Sequence, residues 1–227
     1  MQTIRMLSTL AVMGAFRSLG QRYEAETGVR IDADFAPTVA LLERLGGGEQ
    51  ADVVILTREA LHDLAARNVV AADSCVDLAR SYVGVAVRAG APRPDIATEA
   101  ALRAALLGAE AVAYSRIGAS GIFFAQLIAQ MGIASEVDAR ARIIPSGLTA
   151  ERLVAGEADL AVQQISELKL VSGIDVVGPI LAENQTPMVF SAGRLAGTGL
   201  PDQSDALLKF LASAEAASAL RESGLEP

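Results

Sequence analysis

The sequence predicts an α/β fold of two small, mostly parallel sheets, and three observations carry that prediction. Apolar runs of strand length alternate with segments of helical period along the whole chain. About ten such runs in 227 residues suit two sheets better than one. Hydrophobic residues make up 52 %, enough to cover strands on both faces, as parallel sheets require.

The elements follow in order. Residues 3–7 read as a buried strand. Val12, Phe16, Leu19 and Tyr23 then recur at helical spacing, and Gly28 suits the stop of that helix. Residues 29–35 alternate apolar with charged side chains, the pattern of a half-buried strand. A short helix at 39–45 stops at Gly46-Gly47-Gly48, and 52–56 is a continuous apolar strand. Thr57 suits an N-cap, with Glu59 favourable in the first turn. Strands at 76–78 and 82–87 precede a loop at 90–94. Thr98 and Glu99 open a helix to Leu107. Beyond it come a strand at 111–114, a helix at 122–131, a strand at 141–144 and a helix at 148–155. A strand at 158–162, a helix at 166–171 and strands at 176–177 and 188–192 follow. Helices at about 202–211 and 214–223 close the chain, the second ended by Gly224.

Composition narrows the function classes. Lys and Arg number 19 against 27 Asp and Glu, a net charge of −8, which repels nucleic acid and anionic membranes. One cysteine, Cys75, and one histidine, His62, leave no cluster for a zinc-type site and no pair for an intrachain disulfide. No metal or other cofactor is expected. No segment reaches the roughly 18 apolar residues of a membrane span, so no membrane insertion is expected. The apolar stretch 6–16 is interrupted by Ser8-Thr9 and follows a single Arg5; it reads as strand running into helix rather than as a signal peptide. As written, the chain is expected in the cytoplasm, or in the periplasm with a leader already removed.

In open α/β sheets, ligands sit beyond the carboxyl ends of strands, where helix starts present free N–H groups. Four strand-to-helix junctions here are rich in small or polar residues. They are Ser8-Thr9, Pro37-Thr38, the run from Ser115 to Gly121, and Gln163-Gln164. The third is the most informative. Gly118 and Gly121 are expected to let the backbone approach a ligand, Ser115 and Ser120 offer hydroxyls, and Arg116 offers a fork for a carboxylate. The two serines are also good helix caps.

The same segments carry a family resemblance. The run Arg22-Tyr23-Glu24-Ala25-Glu26-Thr27-Gly28 resembles the end of the first helix in type II bacterial solute-binding proteins. Gly46 to Leu56, with its Ala51-Asp52-Val53 core, resembles their entry into the third strand. Gly156-Glu157-Ala158-Asp159-Leu160 resembles a second strand entry, and Phe210 to Ala216 their terminal helices. The nearest group is the molybdate-binding-protein-like branch, and bacterial aconitate isomerases resemble that branch too. The resemblance implies the two-lobed type II periplasmic-binding-protein-like fold, with a hinge and a central cleft. Lobe 1 would take residues 1–82 and 186–227, lobe 2 residues 83–185, with the ligand between them.

Molybdate and tungstate binders of the branch use serines, main-chain N–H groups and a tyrosine where this chain has Gln164. The usual first-junction serine aligns with Ala11, beside Ser8 and Thr9, and Thr38 stands where the second serine is usual. The ligand-binding candidates are therefore Ser8, Thr9, Thr38, Ser115, Arg116, Ser120, Gln163 and Gln164. Amide and guanidinium donors suit an organic acid with several oxygens better than a bare tetrahedral oxyanion, so a small carboxylate is expected over molybdate.

Two functional classes remain open. One is a binding protein, a monomer serving an ABC-type permease or a cytosolic relative of such proteins. The other is an isomerase moving a double bond in a small polycarboxylate such as aconitate, with Glu167 and Tyr114 as candidate bases. Both residues have structural readings, Glu167 as an acid in a helix first turn and Tyr114 as core. His62 and Cys75 lack partners nearby in sequence, and the triple glycine lacks the lysine of a phosphate loop. Arg80 and Ser81 lie at the first expected crossing.

Overall fold

The computed structural model describes residues 2–181 and 185–227. The chain forms two compact units, Met1–Ser81 with Met188–Pro227, and Tyr82–Pro187.

In the first unit, β1 (Thr3–Ser8) leads through a 3-10 turn at Leu10–Val12 into α1 (Met13–Thr27). Gly28 ends α1 in the left-handed region at φ 69°, where glycine carries no steric penalty. There follow β2 (Arg30–Phe35), α2 (Thr38–Gly46), β3 (Val53–Thr57), α3 (Arg58–Ala66) and β4 (Val76–Ser81). Thr57 caps α3, its hydroxyl accepting from Ala60 N–H at 3.4 Å. The second unit runs β5 (Val83–Arg88), α4 (Glu99–Gly108), β6 (Val112–Ser115), α5 (Ala119–Gln130), α6 (Ala134–Asp138) and β7 (Arg142–Ile144). It continues with α7 (Glu151–Val154), β8 (Leu160–Gln164), α8 (Ile165–Leu168) and β9 (Ile174–Pro179). The chain then returns to the first unit with β10 (Met188–Arg194), α9 (Pro201–Leu211) and α10 (Ala216–Glu222).

Each unit holds one five-stranded sheet, in the orders β2-β1-β3-β10-β4 and β7-β6-β8-β5-β9. The expectation of mostly parallel sheets holds for half of each. β1 pairs in parallel with β2 and β3, and β6 with β7 and β8. The strands nearest the two chain crossings, β10 and β5, pair antiparallel with both neighbours. Both sheets are therefore mixed.

Burial explains why β3 reads as an unbroken apolar run. Val53 and Ile55 face one cluster with Ile4, Met6, Phe16, Leu19 and Leu207, while Val54 and Leu56 face a second with Leu7, Leu41 and Leu61. A strand buried on both faces has no polar face to alternate with. Each such aliphatic side chain contributes roughly 1.5–3 kcal/mol of transfer free energy. In the second unit, Ala86, Ala111, Ala113, Ala150, Ala158 and Ala161 form an alanine-rich layer with Leu153 and Leu168, which lets α7 and α8 lie close to the sheet.

Two glycines set how closely helix starts approach the second sheet. A Cβ on Gly84 would lie 2.6 Å from Ile165 Cγ1 and 2.8 Å from Gly178 O, so α8 packs down onto bare backbone there. A Cβ on Gly121 would lie 1.4 Å from Ser115 O. Gly121 is thus required by the strand-to-helix turn itself, which corrects the expectation that it makes room for a ligand. No side-chain rotation relieves a clash with a backbone oxygen. Gly121→Ala is therefore expected to destabilise the protein by about 1–3 kcal/mol or more, read as a lower urea midpoint with unchanged slope. An unchanged midpoint would contradict this packing.

Candidate functional site

Parallel strands bring their carboxyl ends to one edge of a sheet. In the first unit that edge carries Ser8, Phe35 and Thr57. Ala36 N–H donates to Ser8 O at 3.0 Å and Thr9 N–H to Ile55 O at 3.0 Å, which ties the β1, β2 and β3 ends together. The Ser8–Thr9 and Pro37–Thr38 junctions are thereby neighbours. Ser8, Thr9 and Thr38 are all buried. The Ser8 hydroxyl donates to Thr9 O at 3.0 Å, whereas Thr9 Oγ1 has no hydrogen-bond partner among the described residues. A buried hydroxyl without a partner costs free energy unless a ligand or water completes it.

In the second unit the corresponding edge carries the ends of β6, β7 and β8, which brings the Ser115–Gly121 and Gln163–Gln164 junctions together. Ser115 and Ser120 are buried, and Ser115 Oγ accepts from Ile117 N–H at 3.3 Å. Gly118 caps α5, whose first N–H groups have no acceptor within the helix. Ser120 lies in that first turn.

Arg116 is about half exposed and forms an ion pair with Asp138 at 2.8 Å. The other Asp138 oxygen accepts from the Tyr114 hydroxyl. Tyr114 is fully buried, its ring 5.0 Å from that of Phe124 in an edge-on contact. Burial first, and then the Asp138 carboxylate, push its phenol above the ordinary tyrosine range, partly offset by Arg116. Tyr114 therefore stays protonated near neutral pH and serves as a core residue and donor rather than a base. Asp138, which holds both side chains, went unrecognised in the sequence because the five-residue α6 is too short to show a period.

Gln163 and Gln164 end β8, both almost completely buried. The Gln163 amide binds the loop after β7. Its Oε1 accepts from Thr149 N–H at 2.8 Å and from Thr149 Oγ1 at 3.0 Å, and its Nε2 donates to Gly147 O at 3.0 Å. Residues 145–149, Pro-Ser-Gly-Leu-Thr, form a fifth strand-end junction of the same composition as the other four, and that composition was the signal for it.

Glu167 lies in the first turn of α8 and is 7 % exposed. The Gln163 side chain and the Gln164 backbone favour its charged form. Gln164 is the N-cap of α8, which puts Glu167 at the N3 position, where acids are favoured. Desolvation outweighs these two neighbours and pushes the carboxyl up to about 8 from 4.5. Beside it, Ser166 Oγ is buried with no partner among the described residues. Among the described residues no three His, Cys, Asp or Glu are grouped to hold a metal ion, and no helix is long and apolar enough to cross a membrane.

These features define a solute-binding scaffold, and the comparisons agree. The chain belongs to the bacterial extracellular solute-binding protein family, whose model matches residues 4–226. A relative from Pseudomonas sp. named aconitate isomerase is 40 % identical over 231 residues, covering 99 % of this chain and 88 % of the relative. The periplasmic molybdate-binding protein of Azotobacter vinelandii shares the fold with a TM-score of 0.82 at 15 % identity, over 99 % of both chains. The sulfate-binding protein SubI of Mycobacterium tuberculosis H37Rv does so with a TM-score of 0.79 at 15 % identity, over 100 % of this chain and 87 % of that one.

The raised Glu167 carboxyl has a consequence for stability. In the unfolded chain it ionises near 4.5, while in the folded protein it holds its proton to about 8. The folded state therefore binds more protons across that window, and this contribution to stability is lost as pH rises through it. The expected slope is on the order of 1 kcal/mol per pH unit. Glu167→Gln, which cannot ionise, is expected to flatten the fall in urea-unfolding free energy between about pH 5 and 8. Identical slopes for the two proteins would contradict the burial argument.

Proposed function

We propose that this protein is a polycarboxylate isomerase of the kind the Pseudomonas relative is named for, binding an aconitate-like tricarboxylate and moving its double bond by a proton shift. The observation that carries this reading is Glu167, a buried acid with its proton affinity set near physiological pH, at a strand-end edge rich in donors. General acid–base work is most effective when the group titrates near the working pH.

The step balances without a cofactor. The ionised Glu167 takes a proton from the methylene that lies between a carboxylate and the alkene. The C–H electron pair spreads through the allyl system onto carboxylate oxygens. The N–H groups at the start of α5, the Ser115 and Ser120 hydroxyls and Arg116 are the donors in this unit suited to that charge. Glu167 then returns the proton to the former vinyl carbon, and the double bond re-forms at the former methylene. One C–H bond breaks and one forms. The rotamer in which the site holds the methylene arm sets the geometry of the new double bond, so cis and trans forms interconvert.

Proton NMR of the protein with cis-aconitate and with trans-aconitate tests the reading. Each is expected to convert toward a common mixture, and Glu167→Gln to slow this by about 10²–10⁴-fold. Because the carboxylate is the active form, kcat/KM is expected to rise with pH and level off above about 8. Unchanged spectra at high protein concentration would remove the proposal.

The family model favours a second reading, passive capture of a small organic acid for an ABC-type permease, which would place the protein outside the cytoplasmic membrane. Calorimetric binding of aconitate, or of another organic acid, without turnover supports this reading over the first.

A further inference from the structure

We propose that Tyr114 and Asp138 are positioning residues, which together hold the Arg116 guanidinium ready for a substrate carboxylate. This deepens the proposed function, in which Arg116 is a donor to the substrate, and rests on it. The Tyr114 hydroxyl donates to Asp138 Oδ1, and Arg116 Nη2 lies 2.8 Å from Asp138 Oδ2. A carboxylate only accepts, so it can bridge two donors, one on each oxygen. Tyr114 was a candidate base on sequence grounds; its contacts give it a different task.

One end of this bridge is anchored in the core. Tyr114 and Phe124 are both completely buried, with ring centroids 5.0 Å apart and planes at 70°. A ring packed in this way holds its hydroxyl in one direction. α6, which carries Asp138, is itself fixed from two sides. Val137, beside Asp138, is buried. Arg140, just beyond the helix, donates to Ala109 O at 2.5 Å and to Leu107 O at 3.1 Å, at the end of α4. The Asp138 carboxylate is therefore presented from a fixed element and oriented by a fixed hydroxyl.

The other end reaches solvent, where the Arg116 side chain is half exposed. An exposed ion pair ordinarily contributes little, because two flexible side chains must be ordered to form it. Here the acid is already ordered by Tyr114, so only the arginine loses freedom. The turn from which Arg116 projects is also set. Ser115 Oγ accepts from Ile117 N–H at 3.3 Å, and Gly121 lies close against Ser115 O. A guanidinium has five N–H donors, and a contact through Nη2 leaves others for a ligand carboxylate. The pair thus orients Arg116 without using it up.

The test reads the order of the Arg116 side chain and the affinity of the full-length protein for trans-aconitate. ¹⁵N relaxation of the Arg116 Nε–H, its signal assigned by loss in Arg116→Ala, needs no ligand. The order parameter is expected to fall below about 0.6 in Asp138→Asn and in Tyr114→Phe, and to stay above it in the wild type. Asp138→Asn keeps the shape of the side chain and removes its charge, and it carries the test if Tyr114→Phe fails to fold. By calorimetry, each variant is expected to bind trans-aconitate about three- to tenfold more weakly. In the Arg116→Ala background neither substitution is expected to weaken binding further, since each acts through Arg116. An unmoved order parameter in a folded variant, or an additive loss of affinity, overturns the positioning role. Tighter binding by Asp138→Asn would mark the acid as a competitor for Arg116 and overturns it too. A wild-type protein that binds trans-aconitate without converting it sinks the isomerase reading and leaves this inference standing. Turnover with an unmoved order parameter does the reverse, and no binding at all removes both.

Discussion

A carboxyl group held away from water, with no opposing charge acting on it among the described residues, is the constraint that organises the start of α8. Removing an ionised acid from water is costly, and a protein that cannot supply a counter-charge keeps the proton instead. Around Glu167 the sheet offers amides rather than cations. Gly84 allows the start of α8 to settle on β5, and Glu167 lies in its first turn, 7 % exposed. Burial outweighs the amide neighbours, which favour the charged form, and keeps the acid neutral.

The same edge of the sheet supplies groups of the opposite tendency. Arg116, the first N–H groups of α5 and the buried serines are, in the proposed function, the donors suited to negative charge. Asp138 uses its two oxygens to hold Arg116 and Tyr114, so the guanidinium is oriented by its ion pair while staying half exposed. Under the proposed function, a neutral acid beside anion-stabilising donors would meet a polycarboxylate without charge repulsion at its base. It also retains a group able to give or take a proton. A scaffold of the solute-binding family thus needs few changes to move from capture to chemistry, because strand-end junctions can be varied while the sheets beneath them stay the same.

Much of the fold was legible in the sequence because it rests on local pattern. The double-faced burial of β3, the stop at Gly28 and the cap at Thr57 each follow from a few neighbouring residues. The direction of β5 and β10 was not legible, since an apolar run pairs equally well either way and only the path of the chain decides. The four donor junctions were visible as composition, yet their contents were not. Gly121 was read as space for a ligand because its meeting with the Ser115 carbonyl exists only once the turn is built. Gln163 was read as a donor to a ligand because Thr149 and Gly147 reach it from fourteen and sixteen residues away. Glu167 was singled out, but its burial depends on three strands that the sequence does not place.

Infrared difference spectroscopy measures the central claim most directly. A protonated carboxylic acid has a carbonyl stretch well separated from that of a carboxylate. The wild-type protein at about pH 7 is expected to show one such band that is missing in Glu167→Gln and that fades as pH passes about 8. A wild-type spectrum identical to that of the variant at neutral pH would show the acid already ionised, and the account built on its retained proton would fail.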